Sequence, residues 1–123
     1  LEHRDLTERI IGLAIEVHRT IGPGLLESAY EACLCLELER AGIPFRRQVS
    51  MPVVYKGTFI SLGFGADILV ADPVILEIKG VAAFTTAHEA QILTYLRTSH
   101  VRVGLLLNFH ATRLKNGIQR FVV

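Results

Sequence analysis

Two short aliphatic runs, residues 66–71 (Ala-Asp-Ile-Leu-Val-Ala) and 74–79 (Val-Ile-Leu-Glu-Ile-Lys), read as neighbouring strands joined by an Asp72-Pro73 turn. They also carry charge where a sheet interior is expected: Asp67 in the first run, Glu77 and Lys79 in the second. Strand side chains alternate faces with a period of two, so Glu77 and Lys79 share a face with Ile75, while Val74, Leu76 and Ile78 fill the other. A charge moved into such a place costs several kcal/mol or loses its ionisation unless a partner or an ion meets it. Two readings follow. Glu77 and Lys79 neutralise one another at a sheet end, or the acids and the amine form a site.

The rest of the chain builds an α/β framework around these strands. Asp5-Leu6-Thr7-Glu8 has the form of a capping box, and Leu6, Ile10, Leu13, Val17 and Ile21 recur at helical spacing up to Gly22-Pro23-Gly24. A second helix is expected from Gly24 or Leu25 to Ala41-Gly42, with Leu25, Ala29, Ala32 and Leu36 on its apolar stripe. Residues 46–55 and 59–71 read as strands around a Lys56-Gly57 turn, the second interrupted by Gly63 and Gly65. Residues 86–98 read as a helix with a weak stripe at Ala90, Leu93 and Leu96, and residues 101–109 as a buried strand. Strand 74–79, that helix and strand 101–109 form a crossover, which makes the two strands parallel and the sheet mixed. Residues 118–123 add an edge strand. The expectation is one domain over residues 1–123, an α/β fold with a mixed sheet of four to five strands in the order ααβββαββ.

No apolar run approaches the roughly 20 residues that a bilayer-spanning helix requires, and no secretory leader is evident, so a cytoplasmic protein without a membrane partner is expected. Cys33 and Cys35, two apart on a helix, point to different faces and read as reduced thiols; the five histidines form no ligand motif. The net charge is only +1, yet residues 1–39 hold eight acids and three bases while residues 90–123 hold five bases and no acid. Arg46, Arg47 and Arg97, with other basic residues, are candidates for a phosphate-facing rim or for a plain solvated surface.

Asp67 and Glu77 offer hard oxygen ligands suited to Mg²⁺ or Mn²⁺, and Lys79 on the same face is placed to orient an attacking water and stabilise developing negative charge. That combination suits phosphodiester hydrolysis. The ordered set Asp67, Glu77-x-Lys79 and Gln91-x-x-x-Tyr95 resembles the PD-(D/E)XK nuclease superfamily, whose core is restriction-endonuclease-like. Gly24-Leu-Leu-Glu27-Ser-Ala-Tyr30 is similar to the motif that names the GxxExxY protein family within it. Ala66 stands where the superfamily's name has Pro, and Gly65 leaves no side chain where relatives often carry a base.

The resemblance implies that Asp67 and Glu77 bind metal, that Lys79 activates water, that Glu27 reaches the same site from its helix, and that Gln91 and Tyr95 complete it, with Gly24 and Tyr30 supporting the motif. Spacing accords with this, since Glu27 and Tyr30 are i, i+3 and Gln91 and Tyr95 are i, i+4 on one helical face. Helix packing accounts equally for the two tyrosines, and Glu27 is either a ligand or a hydrogen-bond partner behind the ligands. The implied function is a divalent-metal-dependent nuclease acting on DNA or RNA, alone, as a homodimer or with a protein partner. The alternative is an inactive module of the same fold that binds nucleic acid or a protein.

Overall fold

A computed structural model describes residues 2–61 and 65–123. Helices α1 (Arg4–Ile21) and α2 (Glu27–Arg40) lead into strands β1 (Phe45–Ser50), β2 (Val53–Tyr55), β3 (Thr58–Ile60), β4 (Gly65–Val70) and β5 (Val74–Lys79). Helix α3 (Thr86–Ser99), β6 (Val103–Asn108), a short 3₁₀ turn (Leu114–Gly117) and β7 (Ile118–Val122) complete the chain. Five strands form one sheet in the order β1-β4-β5-β6-β7, and β2 and β3 pair separately. The β5–β6 pair is parallel and the other three pairs of the main sheet are antiparallel, as the crossover required. This is the mixed restriction-endonuclease-like α/β sheet flanked by helices.

Alternation along β5 divides the core into two layers. Val74, Leu76 and Ile78 pack with Ile10, Ala14 and Val17 of α1 and Tyr30, Leu34 and Leu38 of α2. Ile75 packs on the other side with Ile92, Tyr95 and Leu96 of α3. Each fully buried aliphatic side chain contributes about 2 kcal/mol, so the sheet is clamped from both sides. Glu77 and Lys79 follow Ile75 on the α3 side.

Several expected details differ. Helix α1 begins at Arg4, one residue before the proposed capping box, and its N-cap His3 makes no side-chain cap. Asp5 lies inside the first turn, and Glu8 accepts from Arg4 Nε at 3.0 Å instead of reaching back to the backbone. Helix α2 starts at Glu27, and its buried stripe is Tyr30, Leu34 and Leu38 with Cys35, whereas Leu25, Ala32 and Leu36 face solvent. The 14-residue helix is apolar around much of its circumference, so more than one stripe fits its sequence and tertiary packing selects among them. In α3 the buried positions are Ile92, Tyr95 and Leu96, while Ala90 is exposed.

The expected strand 46–55 is split between two sheets at Met51-Pro52, because proline has no N–H to give a ladder. The expected strand 59–71 is split into β3 and β4; Gly63 falls within residues 62–64, outside the described part. The element order is therefore ααβββββαββ, and the additional strands are the separate hairpin. Among the described residues no helix is long and apolar enough to cross a membrane.

Candidate active site

The β4–β5 ladder runs through Val70↔Val74, Leu69↔Ile75 and Ile68↔Leu76 and ends there. Continuing the register by one pair would set Asp67 opposite Glu77. Instead, Asp67 Oδ2 accepts the Ile78 backbone N–H at 2.7 Å, so a side chain occupies the place of a strand carbonyl and the two strands part. Beside this opening Glu77 is only 3% exposed, with Oε1 buried and without a hydrogen-bond partner.

Burial, then the neighbouring Asp67 carboxylate, pushes the Glu77 carboxyl up to about 9, and Lys79 opposes the shift only in part. Without a cation the pair holds a proton. Among the described residues no ion pair joins Glu77 to Lys79, so the sheet-end neutralisation does not form. The ammonium turns to α3, where Lys79 Nζ donates to Gln91 Oε1 at 3.2 Å. Gln91 Nε2 in turn donates to the Tyr95 hydroxyl at 3.2 Å. The i, i+4 spacing thus becomes a relay that ties the amine to the helix. Tyr95 is nearly buried, and burial, then Glu77, raises its phenol above the ordinary range.

The Gly24, Glu27, Tyr30 motif acts at the other flank of β5. Gly24 adopts φ +103°, open to glycine and strained for other residues, in the loop that introduces α2. Tyr30, 1% exposed, stacks on Phe109 at 4.4 Å. Its hydroxyl donates to the Gly22 carbonyl at 2.6 Å and accepts from the Leu25 N–H at 3.1 Å, lacing the loop to the helix. Glu27, the first residue of α2, accepts the Gly80 N–H at 2.7 Å through Oε2. It therefore grips the backbone immediately after Lys79. On the other side Asn108 bonds both the N–H and the carbonyl of Val81, at 3.1 and 2.8 Å. An open cavity of about 470 Å³ lies beside this junction, lined by Leu25, Leu26, Glu27, Ser28 and Gly80.

The structure thus brings together Asp67, Glu77, Lys79, Gln91 and Tyr95, and sets Glu27 on the Gly80 backbone. Among the described residues no three His, Cys, Asp or Glu side chains gather closely enough to hold one ion among them. Asp67 and Glu77 nevertheless fit a divalent cation: they are hard oxygen donors, and one buried oxygen has no other partner. Of the arginines, Arg47 is held by Glu31 at 2.8 Å, Arg46 is exposed on edge strand β1, and Arg97 is exposed in the last turn of α3. Arg120 belongs to β7 at the opposite sheet edge and bonds Thr7, so the bases do not form one rim.

Two contributors carried no sequence signal. Glu31, only 6% exposed, accepts from Arg47 Nε at 2.9 Å and from Gln48 Nε2 at 3.0 Å. The same Gln48 amide lies 3.4 Å from Asp67 Oδ1. Gln48 stands at φ +49° within β1, and the ladder pairs Arg47↔Ile68 and Val49↔Ala66 while skipping both Gln48 and the Asp67 opposite it. A non-glycine residue held there costs about 1–2 kcal/mol, which fits a side chain needed where it stands.

No curated protein and no solved structure matches the chain. The sequence model of the PD-(D/E)XK nuclease superfamily matches residues 4–121, from the start of α1 into the last strand β7, and the chain therefore belongs to that superfamily.

Proposed function

We propose that this protein is a divalent-metal-dependent nuclease of the GxxExxY group that hydrolyses phosphodiester bonds in nucleic acid. The observation that carries the proposal is the Glu77 oxygen buried without a partner beside Asp67, next to an amine that Gln91 directs. Asp67 and Glu77 would hold Mg²⁺ or Mn²⁺, which when bound polarises a phosphate oxygen and favours deprotonation of water. Lys79 then orients the attacking water and offsets charge on the phosphorus oxygens, and Gln91 keeps its ammonium from folding back onto Glu77. Tyr95 fixes the Gln91 amide, and Glu27 holds the turn at Gly80 so that Lys79 leaves the sheet at a set angle.

Labelled single- and double-stranded DNA and RNA, incubated with Mg²⁺ or Mn²⁺, test the proposal against Lys79→Ala. Cleavage reduced by about a hundredfold or more in the variant is expected, the scale of losing one transition-state donor. Absence of any cleavage above the variant on all substrates overturns it. The gathering of two carboxylates rather than three favours a second reading, an inactive nucleic-acid-binding module. A melting temperature unmoved by millimolar Mn²⁺ would select that reading, because an ion that binds only the folded state raises stability.

A further inference from the structure

The hairpin of β2 and β3 plays no part in the chemistry above. Its cross-strand pairs Val54↔Phe59 and Tyr55↔Thr58 put Val54 and Phe59 on one face and Tyr55 with Val53 and Ile60 on the other. Phe59 is 74% exposed, Tyr55 58%, Val54 55% and Ile60 41%. An antiparallel pair ordinarily covers one face and wets the other. Here each face carries an exposed aromatic ring, Phe59 on one and Tyr55 on the other. A free two-stranded hairpin is at best marginally stable in water, so open rings on both sides do little for the fold itself.

Charge narrows the occupant. Between Glu39 and Asp67 the chain has four bases, Arg40, Arg46, Arg47 and Lys56, and no acid. Lys56 and Gly57, at φ +48° and +81°, form the tight turn at the tip. Lys56 Nζ lies 5.4 Å from the centre of the Tyr55 ring. A cation beside one of two exposed rings, on an acid-free segment, matches a polyanion that also presents flat π-faces. The hairpin is tied to the candidate site as well. Met51, two residues before β2, is 4% exposed and packs with Ala66, Leu69, Ile75 and Tyr95, on the sheet face that carries Glu77 and Lys79.

We propose that the 53–60 hairpin is a wedge for nucleic acid with unpaired bases: Phe59 stacks on a base at one face, Tyr55 on a base at the other, and Lys56 meets a phosphate between them. The preferred substrate is then a single strand or a strand-separated junction rather than intact duplex, an extension that rests on the nuclease reading; the binding event does not. A second copy of the chain seated on one face would leave the other aromatic in water, whereas separated strands engage both.

Fluorescence anisotropy in EDTA, with single-stranded, forked and blunt duplex DNA, tests binding apart from cleavage. Single-stranded and forked probes should bind more tightly than blunt duplex. Phe59→Ala and Tyr55→Ala should each weaken that binding by roughly 5- to 100-fold at an unchanged melting temperature, and Phe59→Trp should keep it. Equal affinity for blunt duplex, or alanine variants that bind like the parent, overturns the wedge. So does a dimer in size-exclusion chromatography that Phe59→Ala dissolves, since the occupant is then another copy. Tight single-strand binding with no cleavage after Mn²⁺ is added keeps the wedge and removes the nuclease reading. Cleavage and binding indifferent to both rings do the reverse.

Discussion

Glu31 and Glu77 are both buried carboxylates, 6% and 3% exposed, on opposite flanks of Asp67, and the protein treats them in opposite ways. Glu31 is fully engaged: Arg47 reaches Oε2 and the Gln48 amide reaches Oε1. Glu77 has a buried oxygen with no hydrogen-bond partner and, beside the Asp67 carboxylate, keeps a proton in place of its charge. Burying an ionised carboxylate without compensation is among the costliest things a fold can do. The same chain that supplies a guanidinium to one acid leaves the other to something from outside. The contrast separates a carboxylate that holds the fold together from one that awaits a ligand.

Glu77→Gln should produce the largest departures. Cleavage and the Mn²⁺-induced rise in stability should both vanish; for the parent protein that rise is about 2.7 kcal/mol at a hundredfold excess over Kd. Metal-free stability should move the other way. The folded protein keeps the Glu77 proton up to about 9, whereas the unfolded chain releases it near 4.5, so across that window the folded state binds more protons. Stability of the metal-free parent therefore falls as pH rises through the window, by something on the order of a few kcal/mol, and levels off above it. Urea titrations at pH 5 and pH 8 should show this loss in the parent and not in Glu77→Gln, which at pH 8 becomes the more stable of the two. A parent protein with no such slope would mean that Glu77 is not strained, and the contrast with Glu31 would dissolve.

Glu31→Ala should be destabilising at pH 5 and pH 8 alike, by about 2 kcal/mol, because it strips a guanidinium and an amide of their shared acceptor. Arg47 is 45% exposed at its side chain and can turn to water, which keeps the loss below that of a deeply buried pair. Denaturant midpoints check the sign: Glu31→Ala down and Glu77→Gln up at pH 8. If both fall together, the two acids serve the fold alike.

How much of this could be read from the chain depends on the distance over which each contact is decided. Strand β5 was legible to the residue, since a run buried on both faces that then turns charged can hardly be anything else, and the parallel β6 followed from the helix between them. The lysine relay was nearly legible, because Gln91 and Tyr95 share a helical face and only the reach to Lys79 is tertiary. The stripe of α2 was misread because an apolar helix offers several. Glu27 was visible as a motif residue, but its bond to Gly80 spans 53 positions and no periodicity points to it. Glu31 and Gln48 were invisible for the same reason. Their meeting with Asp67 is set by the β1–β4 register, which puts Gln48 opposite Asp67, and by that one pair leaving the ladder, which is a property of the paired strands rather than of either one.

That departure supplies the smallest and sharpest test. In an ordinary strand, glycine is worse than alanine by roughly 0.5–1 kcal/mol, through the entropy lost on ordering it. At position 48 the order should invert. Both substitutions remove the amide that bridges Glu31 and Asp67, so both should fall below the parent and weaken the hold on Asp67. Gln48→Gly, however, is released from a φ of +49° that alanine must still bear, at about 1 kcal/mol. Chemical denaturation should therefore rank the parent above Gln48→Gly and Gln48→Gly above Gln48→Ala. Alanine equal to or above glycine would mean that the backbone at this position is unstrained. The amide bridge would then be a by-product of ordinary pairing, and the care taken over Glu31 would say nothing about how the neighbouring Asp67 is held for its ion.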